Sequence, residues 1–98
     1  MARILKHEIP AASEFKLPLH EGSNLLKLDV VNEKVYIWAM EDESKPQRGV
    51  KFRMVMTGEE INLEPCMMYI GTFILFNGSF VGHLFVDTSV PMIIGVGL

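Results

Sequence analysis

The stretch Tyr69-Ile-Gly-Thr-Phe-Ile-Leu-Phe-Asn-Gly-Ser-Phe-Val-Gly-His-Leu-Phe-Val86 decides the fold: two apolar runs of β-forming residues are split by Asn77-Gly78. A type I′ turn requires φ > 0 at both central residues, and Asn followed by Gly meets that requirement at the least steric cost, so the segment reads as an antiparallel hairpin. With a two-residue turn, Phe76 faces Ser79, and the pairs run back through Ile74 with Val81, Thr72 with His83 and Ile70 with Phe85. The opposite face carries Tyr69, Gly71, Phe73 and Leu75 against Phe80, Gly82, Leu84 and Val86. Both faces are apolar. A hairpin with one solvated face would alternate with polar residues, so cover on both sides is expected, which describes a core or a subunit interface.

Outward from this hairpin the chain reads as further short strands. Arg3 to Ile9 is stopped by Pro10, and Phe15, Leu17 and Leu19 alternate with Lys16, Pro18 and His20. Pro18 cannot donate to a ladder, which predicts an edge position for that strand. Leu25 to Val31 and Val35 to Met40 flank Asn32-Glu-Lys34 as a second hairpin, with Leu26, Leu28, Val30, Val35, Ile37 and Ala39 on one face. Lys27, Asp29, Tyr36 and Trp38 share the other. The charged segment Glu41 to Gly49 reads as a mobile loop, and Val50, Phe52, Met54 and Met56 alternate with Lys51, Arg53, Val55 and Thr57 as a half-buried strand. Glu59 to Pro65 has room for one helical turn. Strands at this spacing predict an all-β fold, a small antiparallel sandwich or barrel of about 6–8 strands with no long helix. Residues 1–87 make one domain, and 88–98 an apolar C-terminal arm or extra strand.

Composition narrows the function classes. At 98 residues the chain has room for one domain, and 49% hydrophobic content with seven Met is high for that length, which predicts a homo-oligomer. Nine Lys+Arg against twelve Asp+Glu give a formal charge of −3, too little positive field for nonspecific nucleic-acid binding. A single cysteine, Cys66, excludes an intramolecular disulfide and fits a reducing compartment. The charged start Met-Ala-Arg-Ile-Leu-Lys-His-Glu does not read as a secretory signal, and no apolar run approaches the roughly 18–20 residues of a spanning helix. A cytoplasmic protein without membrane contact is expected.

Arg3-Ile-Leu-Lys-His-Glu-Ile-Pro10, Phe15-Lys-Leu-Pro-Leu19 leading to a Gly turn, Val35-Tyr-Ile-Trp-Ala-Met40, Thr57-Gly58 with Ile61, and Tyr69-Ile-Gly-Thr-Phe73 followed by His83-Leu-Phe85 together resemble a family of short, mostly uncharacterised bacteriophage and prophage proteins. The match runs to Asp87, and the tail from Thr88 lies beyond it. The resemblance implies a phage-encoded accessory protein acting in the host cytoplasm, and supplies no catalytic residues.

No coherent set of acid, base and nucleophile emerges, so no catalytic residue, cofactor or enzyme activity is expected. His7 and His20 sit on early strands without a paired carboxylate motif, and no zinc-type ligand spacing occurs. His83 reads as a hydrogen-bonded core or interface histidine. Cys66 reads as a buried thiol packing as a small hydrophobe, and Gly82 as room for the Phe73 ring. The binding candidates are Trp38 and Tyr36 with Lys27 and Asp29, because aromatics interleaved with charges stack bases or anchor partners. Lys51 and Arg53 project from the following strand as a cationic site for phosphate. For self-association, Ile70, Phe73 and Phe85 on the hairpin and Met92, Ile93 and Ile94 in the tail are the expected interface. The leading reading is a non-enzymatic binding protein that sequesters a host nucleotide signal or blocks a host defence protein. A virion structural component is the alternative, and a hydrolase stands third.

Overall fold

The computed structural model describes residues 1–90 and 92–94, the side chains of Ile93 and Ile94 excepted. The chain is all-β. Among the described residues eight strands run β1 (Ala2–Glu8), β2 (Glu14–His20), β3 (Ser23–Val31), β4 (Lys34–Asp42), β5 (Gln47–Met56), β6 (Met67–Leu75), β7 (Phe80–Asp87) and β8 (Met92–Ile94). They form two four-stranded sheets, β1-β4-β3-β8 and β2-β5-β7-β6. Every pairing is antiparallel except the short parallel contact of β8 with β3. The sheets face each other over one core of Leu19, Leu25, Ile37, Phe52, Leu84 and their neighbours, supplied by alternate residues of each strand. Among the described residues no helix is long and apolar enough to cross a membrane.

The deciding hairpin forms as its turn chemistry requires. Asn77 (φ 55°, ψ 36°) and Gly78 (φ 90°) lie in the left-handed region, and Ser79 N–H donates to the Phe76 carbonyl across the turn at 3.1 Å. The pairs Leu75–Phe80, Ile74–Val81, Phe73–Gly82, Thr72–His83 and Gly71–Leu84 keep the predicted register. Phe76 departs from it by adopting φ 51°, an uncommon conformation for a bulky side chain. Farther back, a bulge at Ile70 shifts the register by one, so Phe85 faces Tyr69 and not Ile70. The extra residue lets Ile70 turn inward beside Phe73, each only 4% exposed, while Tyr69 turns outward. One face of the hairpin is therefore covered by the chain's own core. The other carries Tyr69, Thr72 and Ile74, all exposed, with His83 and Phe85 half-buried.

The second hairpin uses a two-residue turn, Asn32-Glu33, both at positive φ, with Lys34 joining the strand. Lys27 pairs with Trp38 and Asp29 with Tyr36, as expected. A bulge at Leu26 puts Leu25, and not Leu26, into the core. Pro18 lies on an edge strand opposite Gly49.

The segment Glu41 to Gly49 is only in part a loop: Glu41 and Asp42 complete β4 and Gln47 to Gly49 begin β5. Its polarity misled because Glu41 is buried with partners of its own. Glu59 to Pro65 forms no helix. Cys66 is an exposed free thiol at φ 70°, not a buried one, since it occupies a turn whose carbonyl accepts from Thr88 N–H and Oγ1, both at 2.8 Å.

Candidate functional site

The outer face of the β1-β4-β3-β8 sheet carries Tyr36 and Trp38, both half-buried, and the exposed Met40 along strand β4. Inward positions of β4 (Val35, Ile37, Ala39) are buried, so alternation sends the aromatics outward. The two rings lie 6.0 Å apart, tilted by 55°. Across β1, Lys6 pairs with Trp38 and places its Nζ 4.6 Å from the Tyr36 ring centroid, within cation–π range. Across β3, Lys27 pairs with Trp38 and reaches Asp29 at 3.2 Å. Asp29 is held below the ordinary carboxylate range by the Val30 backbone N–H first and by Lys27 second. Ile4 and Met40 sit opposite each other at one end, 62% and 40% exposed. The result is a continuous strip of Ile4, Met40, Trp38 and Tyr36 bracketed by two lysines, on a strand bonded on both sides.

Lys51 and Arg53 are not part of that strip. They project from β5 on the outer face of the other sheet, so Trp38 or Tyr36 and this cationic pair cannot meet one ligand within a single chain. The separation follows from strand parity, because Val50, Phe52 and Met54 fill the core and send Lys51 and Arg53 the opposite way. Both cations are also engaged: Lys51 Nζ lies 2.6 Å from Glu64 and 3.2 Å from Glu14, and Arg53 lies 3.7 Å from Glu14. Glu64, then Glu14, raise the Lys51 pKa.

The expected self-association residues are distributed differently from the prediction. Ile70 and Phe73 are consumed by the core and present no surface to a partner. Phe85 is half-buried on the open outer face against Tyr69, ring centroids 5.6 Å apart. Met92 packs against the core from β8. The expectation for the side chains of Ile93 and Ile94 lies outside the described residues. His83 lies on the same outer face as Phe85, its Nε2 2.8 Å from Thr57 Oγ1 and its Nδ1 2.8 Å from Thr72 Oγ1. It is hydrogen-bonded, as expected, but on a face and not in the core.

A buried cluster escaped the sequence reading. Glu41, 1% exposed, receives His7 Nε2 at 2.6 Å, His20 Nδ1 at 2.9 Å and the His20 backbone N–H at 3.1 Å. Burial alone would raise its pKa, and the His7 and His20 bonds outweigh burial, so the carboxyl titrates below its ordinary 4.5. Ser23 Oγ donates to the His20 carbonyl and steadies that corner. The three residues come from β1, β2 and β4. The only available signal was that Glu41 continues the inward alternation of Val35, Ile37 and Ala39. Among the described residues no group of His, Cys, Asp or Glu is arranged to hold a metal ion.

At one end of the sandwich the two hairpin turns meet, where Phe76 N–H donates to Glu33 Oε2 at 2.9 Å. A cleft of about 220 Å³ opens there, lined by Ile9, Val35, Met54, Phe73 and Phe80, with Glu8, Glu33 and Lys34 as its charged walls. That volume falls below the roughly 300–1,000 Å³ of ordinary small-molecule sites. Its net acidic wall disfavours phosphate.

No curated protein and no solved structure matches the chain. The model of a family described as a domain of unknown function, DUF7352, matches residues 1–92, a span that takes in both sheets and reaches the first residue of β8. The chain belongs to the DUF7352 family of domains of unknown function.

Proposed function

We propose that this chain is a non-enzymatic binding protein that docks a partner protein through the outer face of the β1-β4-β3-β8 sheet. In the setting implied by the resemblance to phage and prophage proteins, the partner is a host protein that is blocked in the host cytoplasm. The observation that supports this is the strip Ile4, Met40, Trp38 and Tyr36 flanked by Lys6 and Lys27. Trp and Tyr on a rigid, ladder-bonded strand give a large contact area at low entropic cost, which is how interface anchors work. The strip is flat, suiting a protein surface better than an enclosed small molecule. A nucleotide signal is the less supported ligand, because the candidate phosphate-binding cations lie on the opposite face and are held by Glu14 and Glu64.

The test compares wild type with Trp38→Ala. Host proteins retained quantitatively by immobilised wild type are identified, and the leading one is purified and titrated calorimetrically against both forms. The proposal expects Trp38→Ala to bind at least about tenfold more weakly, a hot-spot loss, with its fold intact. Equal affinity for both forms overturns it, as does the release of a stoichiometric nucleotide from heat-denatured protein with no host protein retained.

A further inference from the structure

The sandwich has four sheet edges, and three of them carry devices that discourage pairing. β1 presents Arg3, Lys6 and Glu8; β2 presents Glu14, Lys16 and Pro18; β8 spans three residues among those described. The fourth is different. β6, Met-Met-Tyr-Ile-Gly-Thr-Phe-Ile-Leu from 67 to 75, has nine residues, no charge and no proline, and its neighbour on one side alone is β7. At roughly 3.3 Å per residue it offers a seam about 30 Å long. Its bulge at Ile70 is one protective feature, but it lies near the start and leaves Gly71 to Leu75 in regular register with β7.

Exposed apolar side chains also lie along this strand. Of nine large hydrophobic residues exposed among those described, Met68, Tyr69, Ile74 and Phe76 all belong to β6 or to the residue that follows it. Clusters of this kind mark contact surfaces. We propose that β6 pairs antiparallel with β6 of a second copy of this chain, continuing the β2-β5-β7-β6 sheet across a twofold axis. Self-pairing sets a strand against its own sequence, and like charges facing each other would oppose it. β6 has none to repel. The twofold axis of an antiparallel edge pairing stands perpendicular to the sheet, so Thr72, Ile74 and Phe76 of one copy approach those of the other on the outer side, and both β1-β4-β3-β8 sheets lie on the opposite side. The two Trp38 strips then face the same way, although the pairing itself does not depend on their function.

Sedimentation equilibrium from low to high micromolar concentration tests this, with hydrogen exchange on the same samples. Wild type should approach twice 11.1 kDa, and the amides of residues 71–75 should exchange more slowly as concentration rises. Ile74→Lys alters a side chain 59% exposed and outside the core, and should weaken association by at least about tenfold by setting a charge on the seam. Trp38→Ala should associate as wild type does. A monomer at every concentration overturns the proposal. So does a dimer that Trp38→Ala dissolves while Ile74→Lys leaves it intact. If Ile74→Lys fails to fold, the wild-type exchange data decide alone: protection of residues 71–75 that does not change with concentration overturns the pairing.

Discussion

A methyl group at residue 82 would clash with the Phe73 ring, which occupies the space that a Cβ would fill. Phe73 is in turn 4% exposed, stacks near Phe80 with centroids 6.1 Å apart and closes one end of the core. Gly82→Ala should therefore destabilise by about 1–3 kcal/mol, the usual range for overpacking. Phe73→Ala should destabilise by about 3–5 kcal/mol. Lys45→Ala, in the exposed connection after β4, should stay within roughly 0.5 kcal/mol. Urea denaturation of the three variants checks the order, and equal midpoints for Phe73→Ala and Lys45→Ala would contradict the core assignment. The Phe73–Gly82 pair was legible because a turn of known length fixes the register next to it. Ile70 was not, because a bulge answers to the demand of the core for a side chain, and no local residue announces it. Cys66 was misread for a related reason: its type favours burial, but its turn position does not.

At the scale of elements, turn chemistry and alternation carried most of the information. Asn77-Gly78 set one hairpin, Pro18 marked an edge, and the parity of β4 and β5 put Trp38 and Lys51 on outward faces. Alternation says which residues share a face of a strand, but not which faces of different strands look the same way; that depends on how the chain crosses between sheets, and so Trp38 and the Lys51–Arg53 pair fall on opposite outer faces of one chain. The Glu41 clasp was hidden for the same reason, as His7, His20 and Glu41 meet only when β1, β2 and β4 are assembled. Its pH behaviour follows from the direction of the shift. The Glu41 carboxyl titrates below 4.5 in the folded protein, so the unfolded chain binds the proton first as pH falls. The clasp contributes fully above the unfolded value and its contribution disappears as pH drops through the lower, folded one. Thermal denaturation between pH 7 and acid should show this loss in wild type and a flatter acid limb in Glu41→Gln; parallel curves would show that Glu41 does not carry it. At pH 7, Glu41→Ala should cost roughly 3 kcal/mol, as removing a buried acceptor from its hydrogen-bond donors does.

For the molecule as a whole, the two outer faces divide the chemistry. One holds the Trp38 strip and the other holds Lys51, Arg53, His83 and the open side of β6. If partner docking belongs to the first, the double variant Lys51→Ala/Arg53→Ala should bind the partner within about twofold of wild type, whereas Trp38→Ala should not. Calorimetry on one partner preparation distinguishes them, and a loss confined to the double variant would transfer the site to the second face. The all-β sandwich was legible in the spacing of strands and turns, since each strand's alternation agreed with one shared core. The pairing order of the sheets was not, because many orders bury the same residues.

The Glu41 clasp also bears on time. Its partners are 34 and 21 residues away along the chain, so its bonds close two long loops, and the His20 bond, from β2 to β4, requires both sheets to have met. Contacts of that kind form after the rate-limiting step when the hairpins supply the nucleus, and an interaction absent from the transition state governs how long the native state survives without changing how quickly it is reached. Stopped-flow kinetics of Glu41→Gln should thus show faster unfolding with nearly unchanged refolding. A histidine pair around one carboxylate would then serve as the latch that sets the lifetime of this small domain.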